Sequence, residues 1–153
     1  MGFVCQGRYA LAPIEPTDAE KYVNLQLDCM EQTYDPIYFD ALGESFTARH
    51  RAERNEYLED FHRHLSSPTV RGFFAYEVPG WTPDGGLSCS IGAHIDWDKP
   101  VGLALSLCEP SSWELERADN LPELPAGTRK LAHLYTLNHT HGTGLGQALY
   151  ESV

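Results

Sequence analysis

The stretch Leu134-Tyr135-Thr136-Leu137-Asn138-His139-Thr140-His141-Gly142-Thr143-Gly144-Leu145-Gly146-Gln147-Ala148-Leu149 decides the reading of this chain. An apolar, β-forming run leads into a turn rich in glycine, and the turn leads into a helix start. Glycine lets a ligand approach the backbone closely and adopts dihedrals that other residues avoid, while the first N–H groups of a helix are unpaired donors at the positive end of its dipole. The pattern is that of a phosphate cradle. Two other glycine motifs fit less well. A P-loop needs Lys-Ser or Lys-Thr after its last glycine, whereas Gly146 is followed by Gln147 and Ala148. A dinucleotide fingerprint needs a further strand with an acidic residue about 20 positions on, which these residues do not supply.

Outward from this stretch, residues 8–14 predict a first strand. Thr17-Asp18-Ala19-Glu20 has a capping hydroxyl followed three residues later by a carboxylate, which predicts a helix start. Val23, Leu27 and Met30 then recur at helical spacing, with Asp28 and Glu31 on a polar face. This helix is expected to end near Tyr34-Asp35-Pro36, because a residue before proline avoids helical dihedrals. A second helix is predicted over residues 47–65, with Leu58, Phe61 and Leu65 as its apolar stripe and Ser66-Ser67-Pro68 closing it. Residues 72–78, 101–107 and 130–137 read as strands. Between the first two of these runs a long connection containing Trp81, Pro83, Gly85, Gly86 and Trp97, with a short strand expected around residues 89–95. Residues 109–127, rich in proline and acidic side chains, are expected to form a loop.

This order of strand, two helices, three strands and glycine-led helix, together with His141-x-x-Gly144-x-Gly146 after Leu134-Tyr135-Thr136, resembles motif A of the GNAT superfamily of acyl-CoA-dependent N-acyltransferases. The family pattern is Gln/Arg-x-x-Gly-x-Gly/Ala, and His141 stands where Gln or Arg is usual. The resemblance implies an α/β fold with a mostly antiparallel sheet flanked by helices, as one domain over residues 1–153. It also implies that the domain is incomplete, since the family continues with a fifth strand, a helix and two more strands. Residues 1–153 alone are therefore expected to show little acetyl transfer and to associate through an open sheet edge, as a homodimer for example.

The implied reaction carries an acetyl group from acetyl-CoA to a small-molecule or peptide amine. By resemblance, backbone groups of Leu134, Tyr135 and Thr136 would hold the pantetheine and acetyl end. The amides of Gly142, Thr143, Gly144, Leu145, Gly146 and Gln147 would hold the pyrophosphate, with the His141 side chain as an added donor. Asp35, Tyr38 and Phe39 lie between the first two helices, where the family often builds its acceptor wall. Such chemistry needs a neutral amine, a polarised thioester carbonyl and a proton source for the departing thiolate. His133 and Tyr135 alternate onto one face of their strand and are the local titratable candidates, with sheet packing as the competing reading. The rival function is a non-catalytic binding or assembly module on the same scaffold, favoured by His141 and by the missing remainder.

Composition bounds the rest. With 153 residues, 42% of them hydrophobic, the chain can bury a core of its own. Its 22 acidic against 11 basic residues give a net charge of −11, which opposes binding to nucleic acid. The same charge would attract a cationic amine, or would simply solvate the helices. Four dispersed cysteines, with no CxxC pair, read as reduced thiols in a cytoplasmic protein. No apolar run approaches a membrane span, and the start lacks a secretory signal pattern. His139 with His141, and His62 with His64, have no further ligand at zinc-site spacing, so no metal is expected.

Overall fold

The computed structural model of the chain describes residues 2–84, 94–117 and 123–153, the side chains of Ser112 and Trp113 excepted. An antiparallel sheet of five strands runs in chain order: β1 (Val4–Gln6), β2 (Tyr9–Pro13), β3 (Arg71–Glu77), β4 (Gly102–Leu107) and β5 (Lys130–Thr136). Helices α1 (Ala19–Leu42) and α3 (Arg54–Leu65) cover one face, over a core that includes Tyr22, Val23, Leu27, Phe61, Phe74, Leu103 and Leu105. Helix α5 (Leu145–Ser152) covers the other, packing Leu145 and Leu149 on Tyr9, Leu11, Ala75 and Ala104. Because the middle of the sheet is sandwiched, β4 is buried at every position and shows no alternation. Among the described residues no helix is long and apolar enough to cross a membrane.

Among the described residues the expected elements are present, with five differences. The first strand is preceded by β1, a short exposed run joined to it by a turn in which Gly7 has φ 58°. The capping contact lies earlier than Thr17: the Glu15 amide donates to Asp18 Oδ2 at 2.9 Å, and Thr17 sits inside a 3-10 turn. Helix α1 passes through Pro36 instead of stopping there. Proline inside a helix costs roughly 3 kcal/mol, and contacts with α2 (Phe46–Ala52) offset it. The Asp35 carboxylate accepts from Ser45 Oγ, Thr47 N and Thr47 Oγ1, each at 2.8 Å. Tyr34 and Tyr38 pack on Phe46 with ring centroids 5.1 and 4.6 Å apart. Gly43, at φ 68°, then ends the helix by donating to the Phe39 carbonyl at 3.0 Å.

The long second helix is in fact two, α2 and α3, separated at Glu53, with Phe61 the fully buried member of the expected stripe. The acidic loop contains a short helix, α4 (Ser112–Arg117). Ser111 donates from its amide and its hydroxyl to Glu114 at 2.6 and 2.7 Å, and Lys130 Nζ donates to the same carboxylate at 2.6 Å. These bonds fasten α4 to the start of β5. The strand expected around residues 89–95 falls mostly outside the described residues.

The pairing of β4 with β5 sets the register of the edge strand. Leu103 faces Tyr135 and Leu105 faces His133, but Ser106 faces Leu131, so Ala132 is an extra residue that forms a bulge. At the other end, Gly102 lets α5 settle onto the sheet: a Cβ there would lie 2.9 Å from Leu149 Cδ1 and 3.2 Å from the Tyr135 carbonyl oxygen. Gly102→Ala should therefore lower stability by about 1–3 kcal/mol, the usual range for overpacking. Urea unfolding followed by circular dichroism measures it, and an unchanged midpoint would show that α5 is not seated this closely.

Candidate functional site

The C-terminal end of β5 runs into the glycine turn, and four hydrogen bonds hold that turn in place. The Leu137 amide donates to the Val101 carbonyl at 2.9 Å, continuing the sheet past the strand. The Asn138 amide donates to Gln32 Oε1 on α1 at 2.8 Å. Thr143 Oγ1 gives its proton to the Thr140 carbonyl at 2.5 Å, so Tyr9 is the donor in the 2.8 Å bond between the Tyr9 and Thr143 hydroxyls. Both sheet faces thus brace the turn through side chains far away in sequence.

Gly142 and Gly144 adopt φ 77° and 84°, left-handed values that favour glycine. A Cβ at Gly142, Gly144 or Gly146 would meet no atom within 4 Å, so all three positions border open space. The amides of His141 and Thr143 are engaged with the Asn138 and Thr140 carbonyls. The first intrahelical bond of α5 is that of Ala148 to Gly144, which leaves the Leu145, Gly146 and Gln147 amides without a helical acceptor. The turn geometry expected from the sequence is therefore present, with Thr143 serving as a brace and not as a donor. Next to it a cavity of about 210 Å³ is lined by Cys29, Thr33 and Tyr34 of α1, by Leu134, Tyr135 and Thr136 of β5, and by His141. Burial, with Asp28 nearby, pushes the Cys29 thiol up to about 12, so it is a protonated thiol at neutral pH.

Among the described residues strand β5 is an edge, paired in the sheet order with β4 alone. Its other half, below the bulge, borders a second cavity of about 290 Å³ lined by Asp60, Arg63, His64, Ser111, Glu114 and residues 130–133. His133 and Tyr135 do share the α1 face, but His133 is committed: its Nδ1 lies 2.6 Å from the Tyr22 hydroxyl. Tyr22 is buried and its own pKa is raised well above the ordinary phenol value by that burial. Taking Tyr22 O–H as the donor to Nδ1 satisfies both groups and assigns the imidazole proton to Nε2. Burial, with His64 and Lys130 nearby, holds His133 down to about 4. Tyr135 is also kept protonated by burial, against a hydrogen bond from Gln26.

The three residues expected at an acceptor wall are dispersed in role. Asp35 ties α1 to α2, Tyr38 stacks on Phe46, and Phe39 is exposed. Tyr22, Gln32 and Tyr9, which shape the site, were not identified from the sequence, because no local pattern marks a partner more than a hundred residues away. Among the described residues, no group of three or more His, Cys, Asp or Glu side chains is placed to hold a metal ion. A wider hollow of about 730 Å³ beside the first half of α1 includes Lys21, Asn24, Glu77 and Asp96 in its lining, and it meets the start of the turn at Leu137 and His139.

No protein-family model matches the sequence, and no curated protein is similar to it at the sequence level. Solved structures are similar in fold. The aminoglycoside N-acetyltransferase AAC(6')-Iy in complex with CoA aligns with a TM-score of 0.51 and 12% identity, over 99% of this chain and 67% of that one. The same enzyme with a CoA bisubstrate analogue aligns over 94% of this chain and 67% of that one, at a TM-score of 0.48 and 13% identity. A candidate GNAT-family acetyltransferase from Desulfovibrio desulfuricans aligns over 94% and 61%, at a TM-score of 0.47 and 18% identity. This chain thus spans about two thirds of the length of these structures, and the likeness to the CoA complex is one of fold.

The buried neutral His133 makes stability depend on pH. Its folded pKa lies below the ordinary 6.5, so between about pH 6.5 and 4 the unfolded chain binds the extra proton. Stability from this group is complete above about 6.5 and is lost as pH falls through 4, by at most about 3 kcal/mol. Urea unfolding at pH 7 and pH 5 should show this loss, and His133→Gln should flatten the slope.

Proposed function

We propose that this chain is an N-acetyltransferase, moving an acetyl group from acetyl-CoA to a small-molecule or peptide amine. The observation that carries the reading is the left-handed glycine turn, open at all three glycine positions and opening onto unbonded helix amides. It is an anion site that needs no lysine. The amides of Gly142, Gly144, Leu145, Gly146 and Gln147 would hold the pyrophosphate, with the exposed His141 side chain at its margin. The edge backbone of Leu134, Tyr135 and Thr136 would bind the pantetheine arm as an added strand would, since peptide-like groups pair readily with an unpaired edge. Acetyl-CoA supplies the activated thioester. The protonated Cys29 thiol at this cavity is a poor nucleophile, which supports direct transfer to the amine without an acyl-enzyme.

The reading is tested at Gly144. Gly144→Val places a branched side chain in the space a phosphate would enter and strains a φ of 84°. The left-handed backbone should cost roughly 1–2 kcal/mol of stability, and acetyl-CoA affinity should fall at least about tenfold, or 1.4 kcal/mol. Calorimetric titration of the wild type and of the folded variant gives the answer, and equal affinities would remove the cradle from consideration. Tight binding with no thiol release to any amine would favour the non-catalytic module instead.

A further inference from the structure

The 290 Å³ cavity at the start of β5 has a chemistry that the cradle does not use. His64, on the last turn of α3, borders it together with His133, their rings 5.3 Å apart and edge-on. His64 Nδ1 is a buried nitrogen with no hydrogen-bond partner. A buried polar atom without a partner costs free energy, so a site that retains one is a candidate for a ligand that completes it. The charged side chains around it are already matched: Arg63 with Asp60, and Lys130 with Glu114. Nothing there calls for a polycation. The volume lies at the small end for small-molecule sites.

We propose that this cavity is the acceptor pocket, that it takes a small primary amine no bulkier than a free amino acid, and that His64 Nδ1 is the proton acceptor for that amine. The assignment rests on the acetyl-transfer reading above. Both cavities lie along β5, one bordered by Leu134 to Thr136 and the other by Lys130 to His133, so a thioester laid along the edge reaches the bulge where the second begins. His133 is not assigned as the base, since its Nδ1 is held by Tyr22 and, with Tyr22 as the donor, its own proton falls on Nε2. Its Nε2–H is instead the donor for a polar substituent on the acceptor. In the transfer the amine nitrogen bonds to the thioester carbonyl carbon and the carbon–sulfur bond breaks. The amine proton passes to His64 Nδ1, and His64 returns it to the departing thiolate, so the products are the amide and the free thiol. Burial, with Arg63 and Lys130, holds His64 below its ordinary pKa and so keeps it unprotonated at neutral pH.

The groups facing His64 are Arg63 and Asp60 on its own helix, Glu114 on α4, and Lys130 and His133 on β5. A pH profile must therefore be compared with that of His64→Gln, which leaves these in place. Thiol release by the full-length protein is followed with acetyl-CoA and glycinamide from about pH 5 to 9, beside calorimetric acetyl-CoA binding and NMR of the histidine Cε1–H resonances during glycinamide titration. His64→Gln is expected to bind acetyl-CoA as the wild type does, to lose about a hundredfold in kcat/KM, and to lose the lower acidic limb, below that of the amine's own ionisation. Glycinamide should shift the His64 and His133 resonances together in the wild type. Failure of the wild type to bind acetyl-CoA would remove the acetyl-transfer reading itself. Normal acetyl-CoA binding with full activity and an unchanged limb in His64→Gln, or with both resonances unmoved by glycinamide, would overturn this assignment.

Discussion

Among the described residues strand β5 is paired with another strand on one side only, and the rest of the site depends on that. An edge strand presents a row of backbone donors and acceptors, which is a liability unless something pairs with it. Here the edge is held stiffly from behind and at both ends. β4 pairs with it along its length, Lys130 anchors its start through Glu114, and Leu137 continues the ladder to Val101. A rigid edge between an open glycine turn and a histidine-lined cavity can receive an extended ligand with little further ordering.

The electrostatics of this region run against those of the chain. The net charge is −11, yet the titratable groups around β5 are largely neutral or paired. Burial keeps Tyr22 and Tyr135 as phenols, Cys29 as a thiol and His133 as a neutral imidazole. An anion at the turn would thus meet helix amides, with the Glu77 carboxylate engaged by His139 and that of Glu151 by Gln147. In such surroundings of lowered polarity, fixed N–H dipoles act more strongly than they would in water. The acidic side chains Glu53, Glu56 and Glu59 are gathered instead around a separate surface hollow on α2 and α3.

The legibility of each element depends on the range of the forces that make it. The strands at residues 72–78 and 101–107 could be read because β-forming residues run together between turn signals. The extent of α1 could not, because the local rule at Pro36 is overridden by Asp35, Tyr34 and Tyr38 contacting α2, and those contacts exist only once α2 has folded back. The division of α2 from α3 and the short helix α4 depend similarly on side chains that meet after folding. The bulge at Ala132 left no trace in the sequence, since a single extra residue alters register and not composition.

Residues 134–149 by themselves determined a strand, a glycine turn and a helix start, because left-handed dihedrals and unpaired helix amides are properties of the local chain. The alternation of the strand likewise put His133 and Tyr135 on one face, in agreement with the register. Only the tertiary structure decided what those residues can do. It brought Tyr22 across to occupy His133 Nδ1, Tyr9 and Gln32 to brace the turn, and His64 to the cavity below the bulge. A side chain's protonation and its free hydrogen-bonding positions are set by burial and by partners distant in sequence, and these come into being only when the sheet and its two helical layers close together.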